Sequence, residues 1–271
     1  MFKRYKNYFY GSALANSNIR PTNAYGWGFK FKKKSLQSTL ISYTGVFHIG
    51  ARIRSRILSN VLNRKNYSKK ELFDAGCGMG LSSIYFSNKF KSVTGVDLDP
   101  DKIKQAKILA RDNHLTNINF KVGNLLKNKF TDKKFDVVIC FEVIEHVQDP
   151  AQLLKSLSSI LKKDGKIILS FPSKSFLSAL AQKSLDHYSI GFSPVEIKKL
   201  SKGTKLVIKE KISFGNTYLA QFIVGVDFFI RKIFPILSAL LFPFVYPFMV
   251  LDLNFPKMGV PRGYVLILEK S

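Results

Sequence analysis

Between residues 70 and 171 the chain alternates short apolar runs with segments of helical period, and this alternation restricts the fold more than any other feature. KELFDA (70–75), KSVTGVDL (91–98), NINFKVGN (117–124), FDVVIC (135–140) and KIILSF (166–171) read as strands. The fourth run is apolar enough to be buried on both faces. LSSIYFSNKF reads as the helix after the first strand. DPDKIKQAKILARDN places Ile103, Ala106 and Ala110 at helical spacing, and DPAQLLKSLSSILKKDG reads as a helix with a proline near its start and a glycine at its end. Strands that alternate with helices build a parallel sheet covered on both sides, an α/β fold. After residue 172 the pattern changes. SPVEIKKL is a short helix with Ser193 as N-cap and Pro194 at its first position. TKLVIKEKISF (204–214) and RGYVLILEK (262–270) are strand-like and flank a long apolar insertion.

The turn after the first strand narrows the chemistry. LFDAGCGMG (72–80) has glycines at 76, 78 and 80. Such a turn lets backbone amides meet a ligand without obstruction by side chains. A dinucleotide fingerprint would need glycines at 76, 78 and 81, and position 81 is Leu. Asp97, at the end of the second strand, can accept both hydroxyl hydrogens of a ribose. Together the two features describe a nucleoside-bearing ligand across the tips of the first two strands.

LFDAGCGMG, VTGVDLDP, FKVGNLL, FDVVICFEVIEHVQDP and LKKDGKIILSFPS occur in that order. Together they resemble the class I S-adenosylmethionine-dependent methyltransferases, the broad group that includes the ubiquinone-biosynthesis O-methyltransferases. The resemblance covers about residues 67 to 214 and resumes at 262. It implies a Rossmann-like sheet of seven strands whose last pair is antiparallel, with 204–214 and 262–270 as strands six and seven. It also implies S-adenosyl-L-methionine as cofactor. Asp74 and the backbone of Gly76, Cys77, Gly78 and Gly80 would hold its methionine part. Asp97 would bind the ribose and Leu98 would lie against the adenine. Asn124 stands where the family often has an Asp facing the adenine amine, and an Asn also offers an acceptor; Leu125 follows it. Phe141 would line the cofactor pocket.

FEVIEHV supplies Glu142, Glu145 and His146 at i, i+3 and i+4, one face if the stretch is helical. His146 is the candidate general base, because its unperturbed pKa lies near neutrality. The trio also resembles the pattern that binds a divalent cation in quinone O-methyltransferases. A purely structural role is the third reading. The chain has neither Asn/Asp-Pro-Pro-Tyr/Phe nor Pro-Cys after the fourth strand. Those absences argue against adenine amino methylation and against a cysteine-nucleophile cytosine enzyme. His48, His114 and His187 are scattered; His187 lies in a loop that could face the acceptor or simply the solvent.

Charge and hydropathy concern location and partners. The 271 residues carry 43 basic and 18 acidic side chains, a formal +25. No acid precedes Glu71, whereas the first seventy residues hold fifteen Lys and Arg. Either an anionic partner or a general lysine bias accounts for this. Cys77 and Cys140 suggest small buried residues in a reducing cytoplasm, not a disulfide framework or a metal knuckle. No apolar stretch of signal-peptide length follows the basic start, so a secretory signal is not expected, and an organelle transit peptide stays open.

Residues 233 to 251 contain no charge over 19 positions, and 218–230 is apolar apart from Gln221 and Asp227. That length falls within the range for spanning a bilayer. Pro235, Pro243 and Pro247 interrupt it, and pairing of strands six and seven would put both ends of the insertion on the same side of a membrane. The expectation is therefore a re-entrant or interfacial helical hairpin, with an active-site lid or a dimer cap as alternatives. The expected organisation is a basic N-terminal extension, partly helical, over 1–66. A methyltransferase domain follows over 67–271, with the hydrophobic helical insertion at 217–258. The expected function is methylation of a small-molecule, lipid-like or lipid-linked acceptor at oxygen or carbon. The enzyme would be cytoplasmic and peripheral or monotopic at an anionic membrane. Soluble glycan or small-molecule methylation is the runner-up. RNA methylation ranks third, since nucleic acid fits the apolar insertion poorly, and a cofactor-binding subunit without turnover is the non-enzymatic rival. The acceptor's identity and the oligomeric state stay open.

Overall fold

The computed structural model describes residues 17–19, 29–31, 49–127, 132, 134–175, 188–233 and 235–271. His48 and His187, together with most of the basic N-terminal extension, lie outside these residues. β1 (Ser17–Ile19) and β2 (Phe29–Phe31) pair antiparallel as a separate ribbon. α1 (Ile49–Asn63) follows. Its apolar positions Ile49, Ile53, Ile57 and Val61, one every four residues, are all buried, in the core that also holds sheet residues Leu72, Val137 and Ile168.

The expected strands and helices then follow: β3 (Glu71–Ala75), α2 (Leu81–Phe86), β4 (Ser92–Asp97), α3 (Pro100–Asp112), β5 (Ile118–Val122), β6 (Phe135–Phe141), α4 (Pro150–Ser159) and β7 (Leu161–Pro172). The chain ends with α5 (Pro194–Leu200), β8 (Leu206–Phe214), α6 (Tyr218–Ile233), α7 (Pro235–Leu251) and β9 (Gly263–Lys270). One sheet takes β3 to β9 in the order β5-β4-β3-β6-β7-β9-β8. Neighbouring strands from β5 to β7 pair parallel, and β9 runs antiparallel to both β7 and β8. This is the seven-stranded α/β sheet the sequence implied.

From β3 the chain moves outward through β4 to β5, then returns to place β6 on the other side of β3. The order reverses between β3 and β6, and such a switch point opens a crevice beyond the strands' carboxyl ends. Separate apolar cores cover the two faces. One includes Ile57, Ile84, Ile103 and Ile267; the other includes Phe73, Phe135, Leu157 and Leu266.

Capping follows the sequence. Asp99 accepts from the Asp101 and Lys102 amides ahead of α3, and Asp149 from the Gln152 amide ahead of α4. Ser193 and Glu196 form a capping box with Pro194 inside it. One boundary differs. The helix expected to run to Gly165 stops at Ser159, because Leu161 already pairs with Phe135. A register shift between Phe135 and Val137 absorbs the extra residues, and Asp164 at φ 60° and Gly165 stand in that stretch of β7.

The insertion is a helical hairpin. α6 and α7 pack on each other and on α1, burying Ala220, Phe242 and Met249 in the α1 core. The Arg52 guanidinium of α1 lies 5.0 Å from the Phe242 ring centroid and 4.8 Å from that of Tyr246. Fully buried Asp252 closes the hairpin's base. Its carboxylate accepts from the Asn216 amide (2.7 Å), the Thr217 amide (2.9 Å) and the Thr217 hydroxyl (2.8 Å). No helix among the described residues is long and apolar enough to cross a membrane.

Candidate cofactor and acceptor site

The glycine turn occupies the switch-point crevice. The Gly76 and Cys77 amides both donate to Val96 O, at 2.8 and 3.0 Å, which ties the turn to the end of β4. Its glycines have different reasons to be there. A Cβ on Gly76 would sit 2.3 Å from Val143 Cγ2, so that position is closed by packing. Gly78 has φ +54° and nothing within 4 Å of where its Cβ would be. The open side of the turn is therefore at Gly78, where a ligand can lie against bare backbone. The sequence reading missed Gly95 of β4. A Cβ there would meet Phe120 at 2.6 Å and Cys77 Sγ at 3.0 Å, so Gly95 lets the turn sit down on the sheet.

Asp97 is the hinge of the arrangement. Its Oδ2 accepts from the Gly78 amide at 2.8 Å and its Oδ1 from the Asp99 amide at 3.0 Å. Both oxygens keep a further lone pair for a diol. Leu98, next to it, is 69 % exposed at the strand tip, an apolar surface on which a flat ring could rest. Asn124 turns its Oδ1 back onto the Leu126 amide (2.9 Å), so its outward group is the amide nitrogen, a donor where an acceptor was expected. Leu125 is buried in the core with Ala75 and Val96, which makes it a support for the rim and not an open wall. Phe141 is half-buried at the end of β6. Cys77 is half-buried, and burial together with the charges of Asp74 and Asp97 pushes its thiol far up, so it is no nucleophile.

Asp74 lies beneath the turn, 4 % exposed. Burial pushes its pKa up to about 7, opposed by the hydroxyl of Ser83, which donates to Oδ2 at 2.6 Å, and reinforced by the charge of Asp97. Ser83 on α2 carries no motif of its own, and only the proximity of α2 to β3 brings it to the carboxyl.

The second carboxylate group stands at the end of β6. The expected single face of Glu142, Glu145 and His146 is not formed. Glu142 has φ +54° and lies outside the turn; only Ile144–His146 coil, as a 3₁₀ turn. Three residues per turn cannot bring i, i+3 and i+4 onto one α-helical stripe. Glu142 instead accepts from the Ser170 hydroxyl through Oε1 (2.7 Å), and its Oε2 lies 3.4 Å from Arg54 Nη1 of α1. Glu145 points inward, 1 % exposed, and its Oε2 has no hydrogen-bond partner among the described residues. Burial and the charge of Glu142 hold its carboxyl well above the usual range, toward the neutral form. His146 is exposed. Arg54 and Ser170 were not anticipated, since tertiary packing alone brings them to Glu142. Among the described residues no three of His, Cys, Asp and Glu converge as a metal-ligand set.

The arrangement fits a nucleoside with a cationic tail. It offers an open backbone cradle at Gly78, a diol acceptor in Asp97, an apolar platform in Leu98 and a buried carboxyl poised near neutrality in Asp74. A family model described as a methyltransferase domain matches residues 66–212. The ubiquinone biosynthesis O-methyltransferase of Rickettsia conorii is 31% identical over 155 residues, 53% of this chain and 53% of that protein. The chain spans about half the length of the curated relatives it matches. Among solved structures, the geranyl diphosphate C-methyltransferase of Streptomyces coelicolor A3(2) was determined with Mg2+, geranyl diphosphate and S-adenosyl-L-homocysteine. It superposes with a TM-score of 0.63 at 16% identity, over 100% of this chain and 98% of that one. The magnesium protoporphyrin IX methyltransferase of Synechocystis PCC 6803, with bound S-adenosyl-L-homocysteine, gives 0.55 at 17% identity over 92% of each chain. At these identities the structural likeness carries the fold alone.

Proposed function

The chain belongs to the methyltransferase-domain family of class I S-adenosylmethionine-dependent enzymes, and from that premise we propose that it methylates oxygen or carbon of a small lipid-like or lipid-linked acceptor at a membrane surface. The observation that carries the cofactor half is the turn held by Asp97: its carboxylate fixes the Gly78 amide and keeps acceptors for a ribose. The acceptor half is supported by the apolar hairpin packed on α1, and by relatives named for ubiquinone biosynthesis.

Bound in this cradle, S-adenosylmethionine would supply an electrophilic methyl group on a sulfonium, for in-line displacement by the acceptor. Asp97 binds the ribose hydroxyls, Leu98 lies against the adenine, and the Asn124 amide nitrogen meets an acceptor on the base edge. Asp74 holds the ammonium of the methionine part, and that contact draws its carboxyl into the ionised form. The backbone of Gly76 to Gly80 lies along the same tail, with Phe141 closing the pocket near the reacting end. Glu142, braced by Ser170 and Arg54, orients the acceptor. Glu145, neutral and buried, stiffens the turn that carries His146. For an oxygen acceptor, exposed His146 takes the hydroxyl proton and passes it to water.

Incubation of the protein and cell extract with methyl-labelled S-adenosylmethionine, followed by separation into organic, glycan, RNA and protein fractions, tests this reading. The expected result is label in the organic fraction, abolished by Asp97→Ala. Label confined to the glycan or RNA fraction would replace the lipid-like acceptor.

A further inference from the structure

The α6–α7 hairpin is apolar on both sides, and the protein's own core uses only one of them. Ala220, Phe242 and Met249 face inward. On the outside, Tyr218, Phe222 and Val226 recur every four residues along α6, and Leu237, Leu240 and Phe244 follow at three- and four-residue steps along α7. Phe222 is 67 % exposed and Phe244 79 %. Beyond α7, Phe255 and Met258 are exposed on either side of Lys257. Two adjoining apolar stripes of this kind mark a surface with a partner.

Charge identifies the partner. Between Ile212 and Pro261 the chain has two carboxylates, Asp227 and Asp252. Asp252 is fully buried and Asp227 half-buried, so the exposed face is almost free of negative charge. By sequence, the same stretch holds three basic residues, Arg231, Lys232 and Lys257, in a chain of formal charge +25, and Lys257 is exposed beside the stripes. A second copy would set one basic surface against another. An anionic bilayer surface complements both the charge and the apolar stripes.

The backbone sets the depth. Both ends of the hairpin lead into β8 and β9, which pair along their length, so it must enter and leave on one side. Pro243 and Pro247 lie inside α7 and have no amide hydrogen, so the carbonyls of residues 239 and 243 lack their helical donor. Water among lipid headgroups can satisfy those carbonyls, whereas the hydrocarbon core cannot.

We infer that the outer face of the α6–α7 hairpin docks on the anionic leaflet of a bilayer, lying in the interface with its Phe222 and Phe244 stripes toward the acyl chains. This rests on the reading of a lipid-like acceptor met at a membrane, and names the surface that brings the enzyme there. The full chain is sedimented with vesicles of mixed phosphatidylglycerol and phosphatidylcholine and, separately, of phosphatidylcholine alone. Removing two phenylalanine rings from the acyl region, as in Phe222→Ser with Phe244→Ser, should lower the vesicle partition coefficient at least about tenfold. S-adenosylhomocysteine affinity should stay within about twofold, because both side chains lie outside the cofactor cradle. Equal partitioning of wild type and variant would overturn the inference, and so would equal partitioning onto phosphatidylcholine alone. A wild-type dimer in sedimentation velocity that the two substitutions dissociate would also overturn it, by making the face a contact between copies. Failure of the wild type to bind S-adenosylhomocysteine would count against the methyltransferase reading instead, and the vesicle comparison would still decide the docking surface.

Discussion

Asp74 takes its chemistry from its surroundings, buried beneath the glycine turn beside Asp97. Its pKa, raised from an ordinary 3.8 to about 7, makes the ligand-free protein pay for ionisation. The stability this side chain contributes is complete below its unfolded pKa and is lost as pH rises through about 7. A cationic ligand group beside it reverses the preference. S-adenosylhomocysteine, which keeps the ammonium, should therefore bind more tightly as pH rises, by up to about tenfold per unit below 7 and levelling above it. Asp74→Asn should flatten that dependence in calorimetry between about pH 5.5 and 8, a range that brackets the Asp74 pKa of about 7. Asp97 acts differently, by accepting hydrogen bonds from the turn and, in the proposed complex, from the ribose diol. Hydrogen bonds to charged groups contribute about 1.5–3 kcal/mol each, so Asp97→Ala should weaken binding by about 2–4 kcal/mol, read as the ratio of dissociation constants. Asp97 was visible from its place at the end of a strand, and Asp74 through the family resemblance of LFDAGCGMG. Ser83 and Arg54 were not visible: their partners are fixed by the packing of α2 and α1, and the local sequence holds no trace of it.

At the scale of elements, the glycine turn and the hairpin latch make separate predictions. Gly76→Ala forces a Cβ to 2.3 Å from Val143 Cγ2 at φ +72°, so it should lower stability to urea by about 2–3 kcal/mol. Gly78→Ala meets no neighbour and should cost about 1 kcal/mol of stability while still impairing S-adenosylhomocysteine binding, since its added carbon points into the open side of the cradle. Denaturation and calorimetry on the same two variants would separate a folding role from a binding role. Asp252→Ala leaves two buried amides and a hydroxyl without their acceptor, a loss of about 3 kcal/mol. Because those bonds join the two ends of the hairpin, amide exchange should accelerate in α6 and α7 while β3, β6 and β7 stay protected. Uncharged apolar length located these helices, and periodicity the strands and helices of the sheet domain. It misjudged the end of α4, where pairing of Leu161 with Phe135 overrides helical propensity, and the FEVIEHV turn, where Glu142 leaves the helical region altogether.

For the molecule as a whole, the sequence order and the sheet order answer each other. A glycine turn after the first strand of the sheet, an acid after the second and a carboxylate-rich turn after the fourth all fall at the carboxyl ends of strands. Reversal at β3 and β6 brings those ends to one crevice. This much was legible because ligand-facing backbone demands glycine and ribose demands an acid, and such demands leave marks at fixed spacing. The acceptor was less legible, since shape and apolar area specify it and these carry no motif. The insertion could be read as apolar, but only the structure separates its inward residues Ala220, Phe242 and Met249 from its exposed stripes. The claim on which the account depends is that the crevice at the carboxyl ends of β3, β4 and β6 is built for S-adenosylmethionine. Titration calorimetry of the full chain with S-adenosylhomocysteine, in parallel with NAD, tests it most directly. The account predicts saturable one-site binding of S-adenosylhomocysteine that Asp97→Ala weakens at least about thirtyfold, with no comparable heat from NAD. Binding of NAD in preference, or S-adenosylhomocysteine binding indifferent to Asp97→Ala, would contradict it.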